Sequence, residues 1–132
     1  MPHIILDYSA NLEERTDMAG FCDHMRQAAT QIEAFPTAGI RVRARRADFV
    51  SIADGNAAHA YLHIMVRLRG GRDMVTRQQA IEALFAAAKS WLDPVIDSSS
   101  LALSAEMVDI DPDLSPKTGS IRRFMAEGDN NA

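Results

Sequence analysis

One cysteine, Cys22, in 132 residues excludes an internal disulfide framework and any metal site built from several thiolates. It lies between Phe21 and Met25 on an apolar helical stripe, where a thiol serves as a small core residue. A catalytic thiol needs a basic partner, and the sequence does not point to one. No stretch reaches the ~18 apolar residues of a membrane-spanning helix. The chain starts Met1-Pro2-His3 and enters a strand-like segment at once, without the charged and apolar stretches of a leader, so the reading places it in the cytoplasm. Nor is there a disorder signature, at 47% hydrophobic and 24% charged residues. Positive charge is in the minority: 14 basic against 18 acidic residues give a net charge of −4, which argues against nucleic acid or an anionic membrane as partner.

The length predicts a single domain over 1–132, large enough for a core that needs no disulfide or metal. Within this acidic chain the basic charge is concentrated. Residues 41–72 hold seven arginines (Arg41, Arg43, Arg45, Arg46, Arg67, Arg69, Arg72) against two aspartates, a window of +5. Such a local centre suits a small anion better than a polymer. The same arginines equally fit a solvated strand face, and composition alone does not separate the two.

Alternation of apolar residues predicts a strand over His3–Ser9, with Ile4, Leu6 and Tyr8 on one side. Asp17 is placed to cap a helix with the stripe Met18, Phe21, Cys22, Met25, Ala29 and Ile32, expected to stop at Phe35-Pro36. Gly39 opens a second strand in which Ile40 and Val42 alternate with arginines. Ala53-Asp54-Gly55-Asn56 is a turn. His59 to Leu68 alternates most clearly, with Leu62, Ile64, Val66 and Leu68 on one face. After Gly70-Gly71, Asp73 or Thr76 caps a second helix with the stripe Ile81, Leu84, Phe85, Ala88, Leu92 and Val95, which Pro94 should end or kink near Asp93. Leu101–Asp111 reads as a fourth strand, and 113–132 as a tail that is loosely ordered or packs on another subunit. The order is two β-α-β units, an α/β (α+β) domain with a four-stranded sheet and two helices on one face. Ile5, Tyr61 and Met65 fall on the uncovered face, and stacking of copies of the chain is the economical way to cover it.

Pro2 carries the chemical hypothesis. Initiator methionine is normally removed before proline, which leaves Pro2 with a free secondary amine at the start of a strand. Nearby cations and an apolar setting both disfavour the charged amine and lower its pKa. At neutral pH such a group takes up a proton as a general base and returns it as a general acid. Proline at the second position is also common without any such role.

The segments MPHIILDYS, FPTAGIRVR (Phe35 to Arg43), ADGNAAHAYLHIMVRLRGGR (Ala53 to Arg72), TRQQA (Thr76 to Ala80) and LALSAEM occur in an order and spacing that resemble the 5-carboxymethyl-2-hydroxymuconate Δ-isomerase family of the tautomerase superfamily. The resemblance covers Met1 to about Asp113. It implies a tautomerase-like fold assembled as a homotrimer, an amino-terminal proline, and no metal or organic cofactor. The substrate it implies is a small anionic dienol with three carboxylates, formed in homoprotocatechuate degradation. The proton moves from the 2-hydroxyl to C5, giving the conjugated 2-oxo isomer. Carried over by position, Pro2 is the proton shuttle and Arg41 and Arg72 hold carboxylates. Arg43 also matches the family pattern. Arg45, Arg46 and Arg67 are left structural. His3 and His63 share the expected site face and serve either as carboxylate ligands or as hydrogen-bonded structural residues; the spacing of His59 and His63 on a strand makes no useful metal pair.

Two alternatives remain open at this point. One is another tautomerase-superfamily activity on a small unsaturated acid; a water-adding member needs an acidic residue, for which Glu106 is the candidate. The other is a non-catalytic trimeric binding module for an anionic metabolite, with Pro2 incidental.

Overall fold

The structure, a computed structural model, describes residues 1–126. Strands β1 (His3–Ser9), β2 (Arg41–Ala47), β3 (Ala60–Arg69) and β4 (Leu101–Ile110) form one sheet in the order β2-β1-β3-β4. Helix α1 (Met18–Thr30) crosses from β1 to the parallel β2, and α2 (Met74–Ser98) from β3 to the parallel β4. The two β-α-β units join through the antiparallel β1–β3 pair at the sheet centre. This is the architecture that the alternation and the helical stripes predict.

The pleat sorts residues onto two faces, because successive side chains point to opposite sides. Ile4, Leu6 and Tyr8 from β1 and Leu62, Ile64, Val66 and Leu68 from β3 are buried against Phe21, Met25 and Ala29 of α1 and Leu84, Ala88 and Leu92 of α2. Cys22 packs half-buried at the margin of this core, its Sγ 3.7 Å from the Val42 carbonyl, and burial raises its thiol pKa. The thiol is therefore kept protonated, as a structural residue needs and a nucleophile does not.

Registration places a second set of residues together on the opposite face. Arg41, His3, Arg67 and Val108 form one row; Arg43, Ile5, Met65 and Glu106 the next; Arg45, Asp7, His63 and Ser104 the third. No layer among the described residues covers that face.

Local signals explain the element starts. Asp17 accepts from the Gly20 amide at 3.1 Å and Asp73 from the Thr76 amide at 2.8 Å, so of the two residues proposed for α2 it is Asp73 that caps. Gly55 takes φ 87° in the Asp-Gly turn. One expected helix end is corrected, and of the end or kink expected at Pro94 the end is excluded. α1 stops at Thr30, short of Ile32 and Phe35-Pro36, because the amides of Gln31 and Ile32 close tight three-residue turns to Ala28 and Ala29. α2 runs through Pro94 to Ser98. Proline removes only the bond to the Ser90 carbonyl, while Leu92 and Val95 on either side stay anchored in the core.

Candidate active site

The site is built where the first strand begins. Pro2 is fully buried, and its carbonyl accepts the Arg41 amide at 3.0 Å, so the parallel β1–β2 pairing ties the start of the chain to the first arginine. Gly39 lies directly against it. A Cβ there would stand 3.2 Å from Pro2 Cδ and 3.2 Å from Met1 Cα, tighter than ordinary contact. Absence of a side chain at position 39 is thus what lets the proline ring seat.

Two cavities open beside Met1. One of about 270 Å³ is lined by Met1, His3, Arg69, Ile110 and residues 115–117. The other, about 370 Å³, is lined by Met1, Gly39, Arg41 and residues 117–119, among others. Both are therefore roofed by the segment that follows β4, which turns back across the end of the sheet.

The electrostatics favour a neutral amine. The Met1 amine is held below its ordinary value by burial first, then by the positive charges of Lys117, Arg72, Arg69 and Arg41. His3 is likewise held low, by burial first and then by Arg43 and Arg41. Arg43 Nη1 lies 3.2 Å from His3 Nδ1. A guanidinium only donates, so Nδ1 accepts and His3 is neutral with its proton on Nε2. Arg43 thereby orients His3 as a donor toward the cavity it lines.

The other candidates separate. Arg41 donates from Nη1 to the Ala38 carbonyl at 3.1 Å and faces the larger cavity. Arg72 bridges the Arg69 and Ala34 carbonyls at 3.0 and 2.8 Å and lines a groove on the helix side, so it acts on the terminus through its field. Both keep guanidinium N–H groups beyond those bonds. His63 lies four residues along β3 from the partner of His3, about 13 Å away at strand spacing. It sits 2.7 Å from Ser104 Oγ and 3.3 Å from Glu106, which also ties up the acid considered for water activation. His59 is held by Ser100 and Asp54, each at 2.7 Å. Arg46 pairs with Glu13 and Asp48. Among the described residues no three His, Cys, Asp or Glu side chains converge to hold a metal ion.

Sequence reading missed Lys117 and Arg69 as members of this site. Arg69 was visible in the arginine window, and its register two residues beyond the His3–Arg67 pair puts it beside Met1. Lys117 carried no periodic signal; only the return of the tail brings it there.

Comparisons with known proteins identify the chain's relatives. The family model for 5-carboxymethyl-2-hydroxymuconate isomerase matches residues 2–125. A 5-carboxymethyl-2-hydroxymuconate Delta-isomerase of Escherichia coli is 34% identical over 121 residues, 92% of this chain and 96% of that protein. A crystal structure of a 5-carboxymethyl-2-hydroxymuconate delta-isomerase superposes with a TM-score of 0.88 at 26% identity, covering 97% of this chain and 95% of the other. One from Deinococcus radiodurans R1 gives 0.84 at 26% identity, covering 95% of each. At lower identity the fold alone recurs, as in a fused 4-OT wild-type symmetric trimer with a TM-score of 0.57 at 17% identity, covering 83% of this chain and 85% of that one.

Proposed function

This chain belongs to the 5-carboxymethyl-2-hydroxymuconate isomerase family, and from that premise we propose that Pro2, freed of Met1, is the group that moves the proton. The chain is an isomerase of the tautomerase superfamily. Its reaction converts the 5-carboxymethyl-2-hydroxymuconate dienol to the conjugated 2-oxo isomer. The Pro2 nitrogen takes the proton of the 2-hydroxyl; the C2–O bond becomes a carbonyl and the C2–C3 double bond shifts to C3–C4. The former C4–C5 double bond takes the proton back at C5. Atoms and charge balance without an external oxidant or reductant.

The observation that carries this reading is the setting of the terminus. Met1 borders both cavities, so in this proposal its loss opens the Pro2 nitrogen to them. In this proposal burial and the four cations act on the freed Pro2 amine in the same direction as on that of Met1, favouring its neutral form. In this reading Arg41 holds a carboxylate and stabilises charge on the 2-oxygen, which a guanidinium does well because it stays protonated and presents paired donors, while Arg72, on the helix side, contributes through its field. Arg43 keeps His3 in the donor form for a further oxygen, and His63 is a structural residue of the β3–β4 pair.

The assembly in this proposal is a homotrimer. Ile5 and Met65 lie half-buried on a sheet face with no covering layer, while Phe49 is 97% and Phe124 82% exposed. Apolar area of that extent is what copies of a chain cover. No helix among the described residues is long and apolar enough to cross a membrane, and the proposal sets the enzyme in the cytoplasm, where a catabolic intermediate would reach it.

Following the ultraviolet absorbance of the dienol tests the activity: conversion well above the buffer rate is expected. No acceleration defeats the isomerase reading. Light scattering of the same sample tests the assembly, with a trimer expected and a stable monomer overturning that part.

A further inference from the structure

The chain has two lysines, and they are placed differently. Lys89 is paired with Asp93 at 3.0 Å along the surface of α2. Lys117 has no hydrogen bond or carboxylate partner among the described residues, yet it is one of the two residues that line both cavities beside the amino terminus, Met1 being the other. Its position is fixed by the chain path after β4. The Gly70 amide holds the Ile110 carbonyl at 3.0 Å; Asp111 then accepts from the Asp113 amide at 2.9 Å, and its carbonyl accepts Ser115 Oγ at 2.7 Å. These bonds fold the tail into a turn over Pro112–Leu114 and carry residues 115–119 back over the end of the sheet toward Met1.

We infer that Lys117 is a substrate-binding residue that captures one carboxylate of the dienol and sets the preference for a tricarboxylate over a dicarboxylate. The inference rests on the isomerase reading above. Its argument is charge matching in space. Arg41 and Arg122 line one cavity, Arg69 the other, and Lys117 alone of these cations lines both, which suits a ligand with several carboxylates. Arg69, like Lys117, has no acidic partner among the described residues. An unpaired cation at a cavity roof is free to exchange water for a ligand carboxylate. Lysine suits this place because its compact charge, on a flexible stem, follows a carboxylate borne on a mobile carboxymethyl arm; an arginine fork demands one orientation. The Lys117 charge also bears on the Met1 amine, consistent with its nearness to the reacting nitrogen.

The test compares steady-state kinetics on 5-carboxymethyl-2-hydroxymuconate and on 2-hydroxymuconate, which lacks the third carboxylate, on the pH plateau of each variant. Lys117→Met should raise KM for the tricarboxylate about ten- to hundredfold with kcat within about threefold, and leave KM for the dicarboxylate within about threefold. Lys117→Arg should keep most of the tricarboxylate affinity, and Lys89→Met should match wild type on both. An unchanged tricarboxylate-to-dicarboxylate KM ratio in Lys117→Met, with wild type active, overturns the inference alone. A wild type that converts neither dienol overturns the isomerase reading and this inference with it. Equal KM losses on both substrates also overturn it, because they mark a general role for the tail and not recognition of one carboxylate.

Discussion

The backbone amide of Arg41 donates to the carbonyl of Pro2 at 3.0 Å, so the residue proposed to move the proton and the first residue proposed to hold a carboxylate are joined by the sheet itself. A side-chain change at Arg41 leaves that bond in place. Their spacing is consequently a property of the β1–β2 register, and substitution tests the guanidinium without dismantling the strand pair.

Arg41→Ala should therefore lose about 2–5 kcal/mol of transition-state stabilisation, seen in kcat/KM with unchanged circular dichroism. Arg72→Ala should cost less in kcat/KM, because Arg72 acts through its field, but should also loosen the Ala34 and Arg69 carbonyls it bridges and lower thermal stability. An Arg41→Ala kcat/KM within tenfold of wild type would return that arginine to the surface.

Gly39→Ala places a methyl 3.2 Å from Pro2 Cδ. Overpacking of this kind costs about 1–3 kcal/mol, and the strain falls on the ring that carries the amine. The expected outcome is a lower melting temperature together with a lower kcat than wild type. A kcat equal to wild type would contradict the contact.

The pH dependence has a definite sign. A general base works when unprotonated, and burial and cations lower the pKa of the terminal amine, so activity extends to lower pH than an ordinary amine allows and is lost as pH falls through the lowered value. Removing a cation raises the amine pKa, and the acid limb of kcat/KM for Arg69→Met should shift to higher pH. A limb that stays in place, or moves down, would contradict the electrostatic account.

Tyr8 is raised to about 12 by burial first and then by its hydrogen bond to Glu13. A pKa raised by folding favours the protonated form, so the contribution is present below about pH 10, the unfolded value, and is lost as pH rises toward 12. Denaturant melts between neutral and strongly alkaline pH should show that decline, and Tyr8→Phe should flatten it. An identical slope in Tyr8→Phe would contradict the assignment.

Much of this arrangement was legible before any coordinates. The alternation in His3–Ser9 and His59–Leu68 separates the buried Ile4 and Ile64 from His3 and His63, because strand period alone decides the face. Asp17 and Asp73 mark both helix starts through a local bond that needs no tertiary context. Less legible was whatever depends on contacts remote in sequence. The tight turns after Thr30 end α1 earlier than Pro36 does, and core packing of Leu92 and Val95 carries α2 past Pro94. Most of all, Lys117 reaches Met1 only through the return of the tail, for which residues 112–119 hold no periodic pattern. His63 illustrates the converse: it shares a face with His3, but sharing a face does not bring residues four positions apart along a strand into one site.

The central claim is that the Pro2 amine carries the proton, and it is tested most directly by the ketonisation rate of Pro2→Ala beside wild type, each sample's intact mass verifying loss of Met1. The account predicts that wild type lacks Met1 and accelerates ketonisation, and that Pro2→Ala loses about 10²–10⁴-fold in kcat. A fully active wild type that retains Met1, or a Pro2→Ala rate within tenfold of wild type, would contradict it.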